Sequence, residues 1–225
     1  MVPIITIDGP SGSGKGTVAR LLADCFGLHC LDSGALYRLL GLAAERARVA
    51  PSMVARLVEI ASAMQVEFKG DCVLLSGEDV TLAIRTEQAG NAASQVAAVP
   101  EVRAALLQWQ RNYAREPGLV ADGRDMGTVV FPDAGVKIFL TASPEERAKR
   151  RYNQLKEKGL DANLPRLVAE IYERDYRDTN RSVAPLLPAK DALVVDSTVL
   201  SVREVLEQVA GNVRCAYPEL AQQGA

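Results

Sequence analysis

Short apolar runs alternate with longer amphipathic segments along the chain, a pattern typical of a parallel α/β fold. Five of these runs have the length and composition of strands that are covered on both faces. They are residues 4–7, 28–31, 119–121, 136–140 and 193–195. Polar residues follow several of the runs, and the carboxyl ends of parallel strands meet at one edge of a sheet. The pattern therefore predicts a five-stranded parallel sheet flanked by helices, with its functional groups along that edge.

Residues 65–80 break this pattern, because their apolar and polar side chains alternate with period two. Gly70-Asp71 and Gly77-Glu78 are turn signals within the segment. The segment predicts a small antiparallel sheet, which with its neighbours, about residues 51–97, forms a separate substrate-binding insert. From about residue 217 the chain has the composition of a frayed tail.

The first apolar run leads directly into a glycine-rich basic loop, and leucines at helical spacing follow the loop. Strand, glycine-rich loop and helix together are the context of a phosphate-binding P-loop. Glycines let the backbone approach an anion, so that successive N–H groups point into one concavity at the positive end of a helix. Lys15 adds a charge for the β- and γ-phosphates. The predicted ATP-binding residues are Gly9, Pro10, Ser11, Gly12, Ser13, Gly14, Lys15, Gly16 and Thr17.

The loop departs from the common P-loop in one position. A serine or threonine normally follows the lysine. Here Gly16 follows Lys15, and Thr17 comes one residue later. This variant is associated with nucleoside monophosphate kinases and not with GTPases.

Charge and composition narrow the class of ligand. The chain has 26 Lys and Arg against 28 Asp and Glu, a net charge of −2, which disfavours a nucleic-acid or membrane-surface role. No stretch approaches the apolar length of a membrane span. The basic residues are nevertheless clustered, which favours a small anionic ligand, with a solvated helix face as the alternative. The clusters are Arg147, Lys149, Arg150 and Arg151, and then Arg174, Arg177 and Arg181.

Cysteine and histidine usage indicates neither a metal site nor a histidine-dependent catalyst. The four cysteines form no C-x-x-C pair, and the only histidine, His29, lies in an apolar run and is expected to be a strand residue. No signal peptide precedes the first run, so the cytoplasm is the expected compartment.

Charged residues for a second ligand follow the second and third apolar runs. Asp32, Ser33 and Arg38 come after the second run, and Asp122-Gly123-Arg124-Asp125 comes after the third. Further along, Arg174, Asp178 and Arg181 are spaced so that they share one face of a helix. An exposed salt-bridged face is the alternative for this trio alone.

Five motifs, in this order, make the chain resemble the bacterial cytidylate (CMP/dCMP) kinases from about residue 4 to residue 209. They are Gly-Pro-Ser-Gly-Ser-Gly-Lys-Gly-Thr, Leu-Asp-Ser-Gly-Ala-Leu-Tyr-Arg, Asn-Ala-Ala-Ser-Gln-Val-Ala, Ala-Asp-Gly-Arg-Asp-Met-Gly-Thr-Val-Val-Phe-Pro-Asp-Ala and Arg-Asp-Tyr-Arg-Asp-Thr-Asn-Arg. The resemblance implies a phosphoryl transfer from ATP to CMP or dCMP, with Mg²⁺. It also implies a single domain with a core (about residues 1–50, 98–146 and 164–216), a nucleoside-monophosphate-binding insert (about 51–97) and a helical lid (about 147–163). A monomer is expected.

The resemblance further implies roles for individual residues. Ser33, Arg174 and Asp178 are expected on the ribose side, Arg38, Arg124 and Arg181 at the acceptor phosphate, Ser94, Arg103 and Asp125 at the cytosine, and Arg147, Arg150 and Arg151 in the lid. The catalytic charges are Lys15, Arg124, Arg150, Arg151 and Arg181. Thr17 is the candidate for Mg²⁺, directly or through water, and a water-mediated contact to Asp122 is the alternative.

The cytosine assignment agrees with the chemistry of the base. A carboxylate such as Asp125 accepts a hydrogen bond from the exocyclic amine of cytosine, while Arg103 and Ser94 donate to its two acceptors. Uracil places a carbonyl where cytosine has its amine, and Asp125 would repel it. A polar mismatch of this kind discriminates strongly.

Two other functions are alternatives to this assignment. The nearest is another small-molecule P-loop kinase of the adenylate, shikimate or dephospho-coenzyme A type, which the antiparallel insert and Asp-Gly-Arg-Asp disfavour. The other is a nucleotide-dependent regulatory switch. The chain has no guanine-reading N-K-x-D motif to support a switch.

Overall fold

A computed structural model of the chain describes residues 2–69, 72–157, 159 and 161–222. These residues form eight strands, eight α-helices and three shorter helical turns. The strands are β1 (Ile4–Asp8), β2 (His29–Asp32), β3 (Val66–Lys69), β4 (Cys72–Leu75), β5 (Glu78–Asp79), β6 (Leu119–Gly123), β7 (Val136–Thr141) and β8 (Leu193–Asp196). The helices are α1 (Lys15–Phe26), α2 (Ser33–Arg46), α3 (Val54–Ala63), α4 (Glu87–Val96), α5 (Pro100–Arg111), α6 (Pro144–Glu157), α7 (Leu164–Asn180) and α8 (Val202–Ala216). The shorter turns are Ala83–Arg85, Met126–Val130 and Pro218–Gln222.

The chain divides into two compact units. The sheet unit consists of Met1–Asp32 and Asn112–Ala225, and the helical unit consists of Ser33–Arg111. The predicted insert, residues 51–97, lies within the helical unit, which extends beyond it at both ends. The predicted lid, residues 147–163, lies within the sheet unit, and Lys158 and Leu160 of that segment lie outside the described residues.

The sheet unit contains the predicted five-stranded parallel sheet, in the order β2-β6-β1-β7-β8. Each strand continues one or two residues beyond the apolar run that predicted it. Asp8 pairs with Gly123, Asp32 with Asp122, and Thr141 with Asp196. Backbone pairing continues after the apolar side chains end, because a ladder hydrogen bond does not depend on side-chain hydrophobicity. As a result, the polar residues that end the strands are held within the sheet.

The core of the sheet unit lies between the sheet and the apolar faces of α1 and α8. Leu22 and Phe26 of α1 and Val209 of α8 are buried against Ile5 and Ile138 of the sheet. The α1 residues at this face recur at helical spacing, which is the period that their sequence shows. Burial of this face fixes α1 against the sheet, and thereby fixes the loop that precedes the helix.

The helical unit packs α2 against α3 and α4, and α3 against α5. Its three strands form an antiparallel sheet in the order β3-β4-β5, as predicted. The predicted Gly70-Asp71 turn lies outside the described residues. The second turn is centred one residue earlier than predicted, on Ser76 and Gly77, both of which have positive φ as a type I′ hairpin turn requires.

The end of the chain is more ordered than its composition suggests. The predicted frayed tail is wrong for residues 217–222, because Pro218–Gln222 form a helical turn and the Leu220 side chain is buried in the core of the sheet unit. The Tyr217 hydroxyl hydrogen-bonds with both the backbone N–H and the backbone carbonyl of Ile4, at 3.3 Å each. Leu220 and Tyr217 pack against the core of the sheet unit. This packing orders the segment, although most of the residues around them are polar. Residues 223–225 of that prediction lie outside the described residues.

Across the described part of the chain, no helix is both long and apolar enough to span a membrane.

Candidate active site

The P-loop joins β1 to α1 in a backbone conformation that favours glycine at several positions, Gly9 and Gly14 among them. Gly9 has a φ of 152°, and a β-carbon there would stand 2.0 Å from the Leu140 carbonyl oxygen of β7. Gly14 has a φ of 92° and is the residue before the first turn of α1. The loop therefore lies directly on the sheet edge and ends at the positive end of a helix, which suits an anion.

Protein donors hold the backbone carbonyls of the P-loop. The Ser11 carbonyl accepts a hydrogen bond from Arg147 Nη1 at 3.0 Å, and the Ser13 carbonyl accepts one from Arg150 Nη1 at 3.3 Å. In a trans peptide the carbonyl and the following N–H point in opposite directions. The N–H groups of Gly12 and Gly14 are therefore directed away from these arginines. A row of N–H groups turned to one side of the loop is an anion-binding nest.

Two further observations at the P-loop suit a phosphate ligand. The Ser13 hydroxyl oxygen is buried and has no hydrogen-bond partner within the described structure. Such buried polar atoms call for a partner. Lys15 Nζ donates a hydrogen bond to the Pro10 carbonyl at 3.1 Å, which keeps the ammonium group folded over the loop.

Lys15 and Asp122 form a buried pair at the foot of the loop. Lys15 Nζ stands 4.0 Å from Asp122 Oδ1, and both side chains are at most 10% exposed. Burial lowers the pKa of Lys15 to about 8, with Arg124 acting in the same direction and Asp122 opposing it. Burial raises the pKa of Asp122 to about 7, against the opposite effect of Lys15. Both groups are therefore poorly solvated charges next to the loop.

The position of Asp122 explains why glycine, and not the common serine or threonine, follows Lys15. A β-carbon at position 16 would stand 3.0 Å from Asp122 Oδ2. The carboxylate thus occupies the space where the side chain of the usual hydroxyl residue would begin. Thr17, the next hydroxyl along the chain, is exposed on α1.

Asp8 holds the segment that carries two predicted site residues, Arg124 and Asp125. Its carboxylate accepts hydrogen bonds from the backbone N–H groups of Met126 and Gly127, both at 2.8 Å. Burial raises the pKa of Asp8 to about 6, although these two hydrogen bonds act in the opposite direction. The sequence predicts Asp8 at the functional edge of the sheet, because it follows the first apolar run, but it does not predict this contact with the segment after β6.

The predicted acceptor-side residues of the sheet unit lie together in two buried ion pairs. Arg124 Nε donates to Asp178 Oδ2 at 2.9 Å, and Arg181 Nη2 donates to Asp125 Oδ1 at 3.4 Å. Burial alone would raise the pKa of Asp178, but Arg124, Arg174 and Arg181 together lower it. Helix α7 ends at Asn180, so Arg181 follows the helix and the expectation of one helical face for all three residues is wrong. Asp178 and the Arg181 side chain are nevertheless buried and Arg174 is half-buried, so the trio is not an exposed salt-bridged face.

The three arginines predicted for the lid differ in their surroundings. Arg147 is 2% exposed and bonded to the P-loop, as described above. Arg150 also donates to the Ser197 hydroxyl at 3.2 Å, and that hydroxyl lies 3.1 Å from the Ser13 carbonyl. Arg151 is partly exposed on α6. Ser197 follows the fifth apolar run, where the sequence predicts polar residues at the functional edge of the sheet, but its contact with the P-loop was not predicted.

The remaining predicted residues belong to the helical unit. Ser33 is the buried first residue of α2, and Ser94 is buried in α4. Arg38 Nη1 donates to the Ile84 carbonyl at 2.9 Å and to the Thr86 carbonyl at 3.1 Å. The Arg103 guanidinium is buried and lies 5.6 Å from the centre of the Tyr37 ring.

The single histidine is a strand residue, as predicted. His29 begins β2, and its Nε2 lies 2.9 Å from the Glu116 carbonyl, to which it donates. It therefore offers the site no base.

Comparisons with known proteins agree on one family. The family model described as cytidylate kinase matches residues 5–215. A protein named cytidylate kinase from Aeromonas hydrophila is 60% identical over 213 residues, covering 93% of each chain. One with the same name from Shewanella loihica is 54% identical over 223 residues, covering 97% of each chain. Among solved structures, an uncharacterised protein from Eubacterium ventriosum has a TM-score of 0.51 at 12% identity, covering 96% of this chain and 99% of that one, which is a likeness of fold alone.

Proposed function

Since the chain belongs to the cytidylate kinase family and transfers a phosphoryl group from ATP to CMP or dCMP, we propose that the P-loop binds ATP and that the buried cluster around Arg124 and Asp178 binds the acceptor nucleotide. The observation that carries this assignment is the density of buried charge in one unit. Lys15, Asp122 and Asp178 are buried, Arg124 is half-buried, and burial moves the pKa values of Lys15 and Asp122 toward neutrality. Clusters of this kind mark functional sites.

On the donor side, the proposed ligands are backbone N–H groups of residues 9–17 and the Lys15 ammonium group. The carbonyls of Ser11 and Ser13 are held by arginines, which supports this orientation of the N–H groups. The buried Ser13 hydroxyl, which has no partner among the described residues, is a further donor for a phosphate oxygen. The triphosphate of ATP would thus meet N–H donors that already face one side of the loop.

On the acceptor side, each proposed residue is assigned to one group of the nucleotide. The ribose-side residues are Ser33, Arg174 and Asp178, those of the acceptor phosphate are Arg38, Arg124 and Arg181, and those of the cytosine are Ser94, Arg103 and Asp125. All of these carry donors or acceptors that match the nucleotide group assigned to them. Asp178 is held ionised by its arginine neighbours, which lower its pKa. Ionised Asp178 is an acceptor for ribose hydroxyls.

The proposed chemistry is positioning and electrostatic stabilisation. The attacking oxygen belongs to a phosphate that is already anionic at neutral pH, so the reaction needs no general base. Lys15, Arg124, Arg150, Arg151 and Arg181 are the proposed stabilisers of the charge on the phosphoryl group in flight. Arg150 is bonded to the carbonyl of Ser13 in the P-loop, which supports a role for it on the donor side.

The residues of the site also fit Mg²⁺. No group of three or more His, Cys, Asp or Glu side chains within the described residues is arranged to hold a metal ion. Mg²⁺ does not require one, because it is bound through one or two carboxylates, waters and substrate phosphates. Thr17, directly or through water, would hold it, and a water-mediated contact to Asp122 is the alternative. When bound, the ion neutralises charge on the β- and γ-phosphate oxygens.

We also propose a monomer in the cytoplasm. All four cysteines are free, which suits a reducing compartment. Light scattering coupled to size exclusion tests the oligomeric state.

A coupled assay of ADP release tests the proposed function. We expect ADP release from ATP only when CMP or dCMP is added, with little release when AMP, shikimate or dephospho-coenzyme A replaces it. ATP turnover without any acceptor would contradict the proposal. Arg124→Ala, Arg174→Ala and Asp178→Ala should raise the KM for CMP far more than the KM for ATP. Arg166→Gln on the exposed surface of α7 is the matched control.

A further inference from the structure

One guanidinium group connects three parts of the sheet unit. Arg147 Nε donates to the Ala142 carbonyl, just after β7, at 2.9 Å. Its Nη1 donates to the Ser11 carbonyl of the P-loop at 3.0 Å and to Asp175 Oδ1 at 3.1 Å, and its Nη2 donates to Asp175 Oδ2. Asp175 lies on α7. Arg147, on α6, is therefore hydrogen-bonded at once to the strand end, to the P-loop and to α7.

The Arg147 side chain is closely packed. The Arg147 side chain is 3% exposed and the Asp175 side chain 23%. A β-carbon at Gly12 would stand 3.1 Å from the β-carbon of Arg147, so the P-loop rests directly on α6 at this point. A planar guanidinium can reach three acceptors in fixed directions, which the single ammonium group of a lysine cannot do.

Asp175 is connected to the P-loop through Arg147, and it lies on the helix that carries proposed acceptor-side residues. A displacement of the P-loop can therefore reach those residues through Asp175. It is adjacent to Arg174 and three residues from Asp178 on the same helix. Asp178 in turn holds Arg124 at 2.9 Å. An α-helix moves as a stiff body over one turn, so a shift of Asp175 also displaces Arg174 and Asp178.

We propose that the Arg147–Asp175 pair makes ATP binding and CMP binding interdependent. The inference rests on the proposed function, which assigns ATP to the P-loop and CMP to Arg174 and Asp178. A triphosphate that fixes the P-loop peptides also fixes the Ser11 carbonyl, and with it Arg147 and Asp175. The helix is then held in the arrangement that binds CMP. Arg147 and Asp175 are positioning residues, because they act through the loop and the helix and not on the substrates.

The test is a calorimetric titration of CMP into the full-length protein, with and without a saturating non-hydrolysable ATP analogue and Mg²⁺. The ratio of the two Kd values is the coupling factor. For the wild type we expect a factor of roughly 5 to 150, the usual range of coupling between two sites. The reverse titration, of the ATP analogue with and without CMP, must give the same factor.

Two variants interrupt the connection at different points. Asp175→Asn leaves the bonds from Arg147 to Ser11 and Ala142 but turns one carboxylate oxygen into an NH₂ that faces the guanidinium. Arg147→Lys keeps the charge and loses the simultaneous bonds. In both we expect the coupling factor to fall below about twofold. A wild-type factor near one, or variants that keep the wild-type factor, would overturn the proposal.

A control variant separates coupling from mere structural support. Tyr172→Phe removes a different contact between the same two helices, the exposed 2.7 Å hydrogen bond from the Tyr172 hydroxyl to Glu145. We expect it to keep the wild-type factor. If Asp175→Asn lowers Tm and weakens both nucleotides equally, its role is structural and the proposal fails. If Arg174→Ala binds CMP like the wild type, the failure lies in the proposed function instead.

Discussion

Gly16 and Asp122 share one space in the active site, because a β-carbon at position 16 would stand 3.0 Å from Asp122 Oδ2. The familiar serine or threonine of other P-loops therefore cannot be introduced here without moving a buried carboxylate. That carboxylate stands beside Lys15, so its displacement would change the charge distribution at the foot of the loop.

We expect Gly16→Ser to lower kcat/KM for CMP by roughly 10- to 100-fold, because small displacements in a positioned site are costly. The measurement is steady-state kinetics with Tm recorded alongside. Gly211→Ala in α8 is the matched control, since no atom lies within 4 Å of the added carbon. It should leave activity unchanged. A fully active Gly16→Ser enzyme would show that the position of Asp122 is unimportant.

Lys15→Ala should leave the fold intact and lower kcat by at least about a hundredfold, as loss of a single preorganised charge does elsewhere. The ammonium group is buried and bonded to the Pro10 carbonyl, so no solvent cation replaces it at that place. Single-turnover kinetics with circular dichroism check the prediction. Lys149→Ala, in the neighbouring basic cluster and outside the proposed site, should retain full activity. Normal turnover in a folded Lys15→Ala protein would refute the P-loop assignment.

Asp8 should give the stability of the protein a measurable pH dependence. Burial raises the pKa of Asp8 from 3.8 to about 6, so between these values the folded state binds more protons than the unfolded state. The contribution of Asp8 is therefore most favourable below pH 4 and is lost as the pH rises to 6. In Asp8→Asn this contribution is absent.

Urea unfolding of the wild type and of Asp8→Asn across pH 4 to 7 isolates the contribution of Asp8 to the free energy of unfolding. The difference in free energy of unfolding should change by about 2–3 kcal/mol in favour of the variant as the pH rises. A difference that does not vary with pH would contradict the raised pKa.

Asp125→Ala should narrow the preference for CMP over UMP. The carboxylate is buried and paired with Arg181, and it is proposed to accept from the cytosine amine and to repel the uracil carbonyl. Its loss removes both effects. The readout is the ratio of kcat/KM for CMP to that for UMP, with Asp133→Ala, an exposed carboxylate nearby, as the control. If both activities fall together and the ratio stays constant, Asp125 has another role, such as holding Arg181.

Residues 147–163 are predicted to close over the nucleotides. Hydrogen exchange should separate two parts of this segment. The Arg147 end should be protected with or without ligand, because its side chain is buried and bonded to the P-loop. The remainder should exchange at least about tenfold more slowly when a bisubstrate analogue is bound. Equal exchange in both states would contradict the lid.

The sequence predicts the sheet and the P-loop well because both leave local patterns. Apolar runs mark buried strands, and glycine with lysine after a strand marks the phosphate loop. The apolar runs predict strand ends one or two residues too early. Asp8 and Thr141 still form backbone hydrogen bonds in the sheet, and these bonds do not depend on the hydrophobicity of the side chain. Polar residues were expected at this edge of the sheet, but their pairing within the sheet was not.

The hydrogen bonds that hold the P-loop in place could not be predicted from the sequence. Arg147 and Ser11 are distant in sequence, and the bond between them runs from a side chain to a carbonyl that any residue possesses. A basic cluster on a helix is typical of an exposed face, yet Arg147 is buried. Only the folded arrangement distinguishes it from Lys149, which is exposed.

The bonds between Tyr217 and Ile4 have a consequence for synthesis on the ribosome. The sheet unit joins β1 to anchors, Tyr217 and Leu220, and Tyr217 lies 213 residues after Ile4 in the sequence. The core of this unit cannot be completed before Leu220 has been translated. The helical unit, Ser33–Arg111, contains a core of its own and leaves the ribosome earlier. Translation therefore supplies all residues of the helical core before it supplies the last residues that pack against the sheet.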